Sequence, residues 1–448
     1  MDPFLYIQEE YDNVARALQE SLRYDYGPGQ TVDYYEECRF RLEGIHDDLK
    51  RLRDCGSGPT SSIVAQLWDL ATRLTLVERS HLGEFSWPFA DAIRQIAISL
   101  LSEDEGLSGR IEPIIHMIAE GTSYQISSEK VMGANKHRRL FTVAFPRQLK
   151  HHVLMHALFG HELGHATFYS SGTGANLLAT GGDPPSRRII SILRSEGPLR
   201  DCASAMAWLR SEDAPPQVAE RMRRSGAATI TEGNLGHWIV ELVCDLFGLA
   251  IFGSSFAAAH RTYLEPSCRT AFEIDIEKTS HPAYALRRNL LVDALRCMDW
   301  LTPVISESNP KVLKAEQSFI DYVGTSTFGT WASVFTERQL TDALGVIGDH
   351  FASTGTRMAR RPNKQTLNAL VTRVARHLPP IREDIDEAGV STTHEVRLEE
   401  QLYASWVCWL GRDELDGEQL SFFQLNQLCD LALLQQQAID LSAGRRSL

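Results

Sequence analysis

Met155-His156-Ala157-Leu158-Phe159-Gly160-His161-Glu162-Leu163-Gly164-His165-Ala166-Thr167 is the stretch on which the fold turns. Residues four apart share one face of a helix, so His161 and His165 can offer imidazole nitrogens to a single metal ion. Helix geometry turns Glu162 about 100° away from His161. It therefore borders the metal without ligating it, where a general base for a metal-activated water belongs. Gly164 has no side chain and lets another backbone or a substrate come close. With 15 histidines in 448 residues, random placement produces an HExxH match with an expectation on the order of 0.03. The competing explanation is a helix whose two histidines are merely satisfied in the core, so a third ligand has to decide.

A third histidine just downstream would need Gly at 168 and His at 171, and the chain has Phe168 and Ser171. A carboxylate from a later helix is the other route. Trp238-Ile239-Val240-Glu241-Leu242-Val243-Cys244-Asp245-Leu246-Phe247-Gly248 supplies it. Glu241 and Asp245 lie one turn apart in an otherwise almost wholly apolar segment, and buried carboxylates are costly unless paired or metal-bound. Glu241 is expected as the third ligand. Asp245 is expected to accept a hydrogen bond from the spare ring N–H of a metal-bound histidine, fixing its tautomer and raising its basicity. Two histidines and a glutamate suit Zn²⁺, one per chain.

HELGH followed by Glu241-x-x-x-Asp245 resembles the gluzincin branch of zinc metallopeptidases, thermolysin-like in its logic. Thr279-Ser280-His281-Pro282-Ala283-Tyr284-Ala285-Leu286-Arg287-Arg288 narrows the likeness. It resembles the His-Pro…Arg element that follows the third-ligand helix in the family of the CAAX prenyl protease and the bacterial heat-shock membrane protease. The resemblance spans about Leu140 to Leu291 at the level of motifs. It implies a place for His281 and Arg287 beside the zinc, steadying the oxyanion of the tetrahedral intermediate; the alternative is a His/Arg pair that braces a helix. Such relatives are usually membrane-embedded, and this chain does not read that way.

The composition, 43% hydrophobic and 23% charged, is that of a folded globular protein. A net charge of −13 argues against general nucleic-acid or anionic-membrane binding. The basic run Arg221-Met222-Arg223-Arg224 reads as a solvated helix face. Eight cysteines without C-x-x-C spacing favour a reducing compartment. The first ten residues lack the basic start and apolar core of a secretory signal. The one stretch resembling a membrane span, Val240 to Ala259, carries Glu241 and Asp245 and is better explained as a buried core helix. A cytoplasmic protein without a membrane span is expected.

Residues 1 to about 130 read as helical. Ile7, Tyr11, Val14, Leu18 and Leu22 mark one helix face, and Ile63, Leu67, Leu70 and Leu74 another. Ile93, Ile96 and Leu100 define a third apolar face after Trp87-Pro88. Tyr124 to Ser128 and Leu140 to Phe145 look like short strands. Strands before an HExxH helix suit a zincin, whose sheet edge pairs with an extended peptide. The HExxH helix is expected to begin at Gln148 and to carry His151, His152 and His156 as surface or second-layer residues. Ser170 to Ser186 is Gly-, Thr- and Pro-rich and reads as a loop, a lid or an ordinary insertion. Arg187 to Arg224 reads as two helices broken at Asp213-Ala214-Pro215-Pro216. Helices are expected over Val312–Val323, Gln339–Phe351, Gln365–Leu378, Leu398–Leu410 and Phe422–Leu441, with Pro379-Pro380 and Glu383 to Glu387 as surface linkers. Tyr403, Trp406 and Trp409 fit a core better than a binding box.

The expected fold is α+β and predominantly α-helical, a zincin-like catalytic core with a small sheet and helical ends. The expected domains are an N-terminal helical region over 1–120, a core over 121–302 with an insertion at about 170–236, and a C-terminal helical region over 303–448. The expected activity is zinc-dependent hydrolysis of a protein or peptide substrate, with Glu162 as general base. Two alternatives stand beside it: a non-catalytic zinc-fold scaffold, and a peptidase held latent until a regulatory partner engages the helical end regions.

Overall fold

A computed structural model of the chain describes residues 3–21, 30–55, 60–81, 86–101, 112–119, 121, 123–130, 138–170, 185–214, 230–267, 281–306, 309–325, 333–385, 391–415 and 420–442. Most of the Ser170–Ser186 loop and the Arg221–Arg224 run lie outside these residues. The protein is predominantly α-helical with a small three-stranded sheet. It divides after Lys150 into two compact units.

In the first unit, α1 (Pro3–Ser21), α2 (Gln30–Cys55) and α3 (Thr60–His81) share one apolar core. Ile7, Val14 and Leu18 meet Ile63, Leu67, Leu70 and Leu74 there, and Cys38, Leu42, Ile45 and Leu49 of α2 complete it. These are the stripes that the three-and-four spacing predicts; Leu22 falls outside the described residues. α4 (Trp87–Leu101) buries Ile93 and Leu100, with Ile96 half-buried.

The sheet has two strands where they were expected and a third, over Glu112–Ala119, that corrects the helical reading of residues 1 to about 130. It contains β1 (Glu112–Ala119), β2 (Gln125–Lys130) and β3 (Arg138–Phe145) in the order β1-β3-β2. β1 runs parallel to β3, Ile115 beside Phe141 and Met117 beside Val143, while β2 runs antiparallel. Pro-Ile-Ile-His-Met-Ile is too short an apolar run for periodicity to separate strand from helix. Its pairing partner, 26 residues on in the chain (138 − 112), decides it.

In the second unit, α8 (Glu232–Phe252) is the axis, counted after α5 (Phe159–Ser170), α6 (Pro185–Leu193) and α7 (Cys202–Arg210). From Glu241 to Phe252 every residue of α8 is buried. Among the described residues it is the one helix long and apolar enough to cross a membrane, and it is sheathed by protein. It packs against α5 and α6, then against α9 (Ser254–Leu264), α10 (Tyr284–Cys297) and α12 (Glu337–Thr354), the last following α11 (Pro310–Gly324). Gly253 makes the α8–α9 corner at φ +58°, where a Cβ would also drive into the Trp300 ring. α13 (Lys364–Ala375), α14 (Leu398–Leu410) and α15 (Phe422–Ser442) complete the helices where the sequence expects them. Tyr403 and Trp406 of α14 have no exposed surface, as a core pair should.

Two local expectations fail. The helical reading from Arg187 misses a break between Leu193 and Cys202, where Asp201 caps α7 by accepting from Ser204 N at 2.7 Å; α7 ends at Arg210, ahead of the expected break, and residues 215–229 lie outside the described residues. The stretch taken as an acidic linker is half of a hairpin, β4 (Arg382–Ile385) against β5 (Ser391–His394). Its acidic side chains conceal a strand whose stabilisation comes from backbone pairing.

Candidate metal centre

The site is built where α5 crosses α8. Gly160 lies so close that a Cβ would stand 2.7 Å from the Gly248 Cα, and one on Gly164 would stand 2.9 Å from the Cys244 Cα. The close approach expected at Gly164 is thus made by the backbone of α8. The two helices run antiparallel in this register, one turn of each advancing together. His161 consequently meets Asp245, and His165 meets Glu241.

α5 begins later than the sequence suggests. Arg147–Leu149 and Val153–Leu158 form short 3₁₀ turns, and the α-helix proper starts at Phe159. All six residues of the second turn are buried, so His156 is an interior residue rather than a surface one. The turn is anchored from α15, where the Asn426 side-chain oxygen accepts from Leu154 N at 2.8 Å. A polar side chain with no exposed surface fixes the backbone that aims α5.

Three side chains converge. His161 Nε2 and His165 Nε2 are 3.1 Å apart. Glu241 turns Oε2 to His161 Nε2 and Oε1 to His165 Nε2, each at 3.3 Å. His161 and Glu241 are buried, and His165 is half-buried. Ligands of a tetrahedral zinc at ordinary bond lengths lie roughly 3.3–3.5 Å from one another, which these spacings approach. They are long for charge-assisted hydrogen bonds, which run at roughly 2.7–2.9 Å. The donor set therefore fits a metal better than it fits a hydrogen-bonded cluster.

Behind these three side chains, His161 Nδ1 is 2.9 Å from Asp245 Oδ1. Asp245 is fully buried and takes a forked pair of bonds from Arg287, Nε to Oδ2 at 2.8 Å and Nη2 to Oδ1 at 2.7 Å. In the neutral ring, donation from Nδ1 to Asp245 would leave the Nε2 lone pair facing the centre; Arg287 Nη2 also lies 3.2 Å from Nδ1. Burial opposes charge on Asp245, yet the Arg287 guanidinium outweighs it and holds the carboxyl well below the usual carboxylate range. Burial works against protonated His161 as well, but the bonds from Asp245 and Glu241 lift its pKa to about 9. On Glu241, too, burial is outweighed, by the two histidines and Arg287, and the group stays ionised. Glu162, one residue from His161, is instead raised by burial, with the histidines pulling the other way.

The two residues tied to the resemblance part company. His281 lies just before α10 with its Nε2 3.5 Å from Glu241 Oε2 and its side chain 60% exposed, at the rim of the site. Burial of the ring's inner part lowers its pKa, so the neutral imidazole is favoured. Arg287 does not face the rim. Its Nε and Nη2 are engaged by Asp245 and its Nη1 is 3.9 Å from Glu241, so it braces the two carboxylates behind the histidines.

Sequence reasoning missed His260 and Tyr263 of α9. The His260 Nε2 is 3.8 Å from Asp245 Oδ1, its ring stacked on Tyr284, and burial keeps it neutral. Tyr263, one turn on, has its phenol raised by burial and by the Glu162 charge. Neither lies in a motif, and the only available signal was their place in a helix directly following the glutamate helix. No protein-family model, curated protein or solved structure matches the chain.

Proposed function

We propose that this protein is a zinc metallopeptidase with a zincin-like core, acting in the cytoplasm on a protein or peptide substrate. The observation that carries the reading is the triangle of His161, His165 and Glu241 atoms at metal-ligand spacing, backed by the Asp245–Arg287 brace. His161, His165 and Glu241 would hold the ion. Zinc held there would acidify water and polarise a carbonyl.

The chain's own residues supply the rest. Glu162 accepts a proton as water adds to the peptide carbonyl and returns it to the departing amine nitrogen. Burial raises its affinity for that proton above that of a free carboxylate, while the histidines pull the other way. Asp245 fixes the tautomer of His161, and Arg287 holds Asp245 in place, so Arg287 is a positioning residue. His281, neutral and partly exposed, donates a hydrogen bond to the substrate oxygen on which charge develops.

Glu162→Gln keeps the side chain's shape and removes its basicity. With zinc retained, hydrolysis of unfolded casein should fall by about 10³-fold, the scale of a lost general base. An equally active variant would remove Glu162 from the mechanism. Wild-type protein that carries zinc and cuts nothing would instead favour the scaffold function.

A further inference from the structure

Three helices meet at Asp245. The carboxylate belongs to α8, α10 sends Arg287 to it, and α9 brings His260. Arg287 has an evident purpose there, since a buried carboxylate needs a counter-charge. The histidine has no such ready explanation. It is 1% exposed, and among the described residues neither ring nitrogen has a hydrogen-bond partner. Burial keeps the ring neutral, so one nitrogen carries a proton and the other a lone pair, both out of water. Unmade polar groups in the interior destabilise a fold.

Packing accounts for a ring at this position and not for its nitrogens. The ring stacks on Tyr284, with 5.7 Å between centroids and 14° between planes, and meets Phe256 at 5.7 Å. A phenylalanine would keep such contacts without burying a polar atom. The nitrogens are explained by what they face. His260 Nε2 is 3.8 Å from Asp245 Oδ1, the same oxygen that stands 2.9 Å from His161 Nδ1. That separation is too long for a hydrogen bond. It is short enough for an N–H dipole to act on a full charge, and with water excluded such a contact is stronger than at the surface. Only the tautomer protonated on Nε2 turns an N–H, rather than a lone pair, toward the anion. Tyr284 lies one turn before Arg287 on α10, so the helix that clamps Asp245 also sets the plane of the histidine ring.

We propose that His260 is a positioning residue of the metal centre: its Nε2–H faces Asp245 Oδ1, steadies the charge on that oxygen, and through it fixes the His161 ring for the ion. This rests on the zinc reading of the site. His260 touches neither the three ligands nor the substrate, and it acts through Asp245 alone.

Zinc dissociation constants, read by competition with a chelating dye, test this for wild type, His260→Phe and His260→Gln, each beside a thermal melt of the zinc-free protein. Phenylalanine keeps the ring and removes both nitrogens, whereas glutamine keeps an N–H donor and gives up the stack. His260→Phe should melt at or above wild type yet bind zinc about 10-fold more weakly, the lower end of what a residue behind a ligand contributes. His260→Gln should melt lower and bind zinc within about threefold of wild type, because a donor remains. A histidine kept for packing alone would give the reverse order, with affinity following stability. In an Asp245→Asn background, His260→Phe should weaken zinc by less than about twofold, since the path through Asp245 is already broken. Nitrogen NMR of histidine-labelled, zinc-free wild type reads the tautomer directly, whether or not His260→Phe folds. A proton on Nε2 is expected, and a proton on Nδ1 would overturn the proposal. A zinc-binding wild type whose affinity His260→Phe leaves unchanged overturns this inference alone; a folded wild type that takes up no zinc overturns the zinc reading with it.

Discussion

The second unit buries two glutamates in opposite ways. Glu316 of α11 has no exposed surface; two backbone amides and a hydroxyl donate to it, and the Arg361 guanidinium stands 3.7 Å away. Tyr403 OH reaches Oε1 at 2.9 Å, Val304 N sits 3.0 Å from both oxygens, and Ile305 N reaches Oε2 at 2.9 Å. Glu241 of α8 is nearly as buried, but its neighbours are imidazole nitrogens at 3.3 Å and beyond, with a guanidinium at 3.9 Å. One carboxylate is held at hydrogen-bond distance by backbone and hydroxyl donors; the other shares a triangle with two imidazole nitrogens at wider spacing. Burial of a carboxylate is therefore not the mark of a site. The kind of group that faces it, and the spacing, are.

This contrast predicts opposite consequences for the two residues. Glu316→Ala strands two backbone N–H groups and a tyrosine hydroxyl in the core, and should cost about 3–5 kcal/mol in a urea melt while leaving metal affinity as it was. If Glu316→Ala released zinc from a folded protein, the two networks would not be independent. Next in size is Asp245→Asn. It keeps the shape but weakens both the fork to Arg287 and the grip on His161, and zinc affinity should drop about 10- to 100-fold, read by competition with a chelating dye. Unchanged affinity would make the Asp245–Arg287 pair a structural brace without influence on the ligands. The smallest effect is expected from Tyr403→Phe, which removes one neutral donor from a carboxylate that keeps its backbone donors. About 1 kcal/mol of stability should be lost, with no change in metal content.

The same contrast explains what could be read from the amino-acid sequence. Glu241 and Asp245 stood out because each interrupts a run of apolar residues on a helix. Glu316 did not, because Lys314-Ala315-Glu316-Gln317 looks like any solvated helix turn; its donors come from the 304–305 backbone and from α14, and no local pattern encodes that meeting. His161, Glu162 and His165 were legible since the proposed ligand and base roles demand fixed spacing on one helix. Arg287 was legible as a neighbour of the site but not in its task, which depends on α8 and α10 lying side by side. The helices from α11 to α15 declared themselves through periodicity, whereas β1 and the β4–β5 hairpin depend on a pairing partner elsewhere in the chain.

Metal content bears on the central claim most directly. Zinc per chain should be measured by mass spectrometry on purified wild type and on Glu241→Ala, each after zinc loading and removal of excess. One zinc per wild-type chain, with at least 100-fold weaker retention in a Glu241→Ala protein that melts like the wild type, is the expected result. A well-folded wild type that takes up no zinc, or a Glu241→Ala variant that holds it as tightly, would contradict the account.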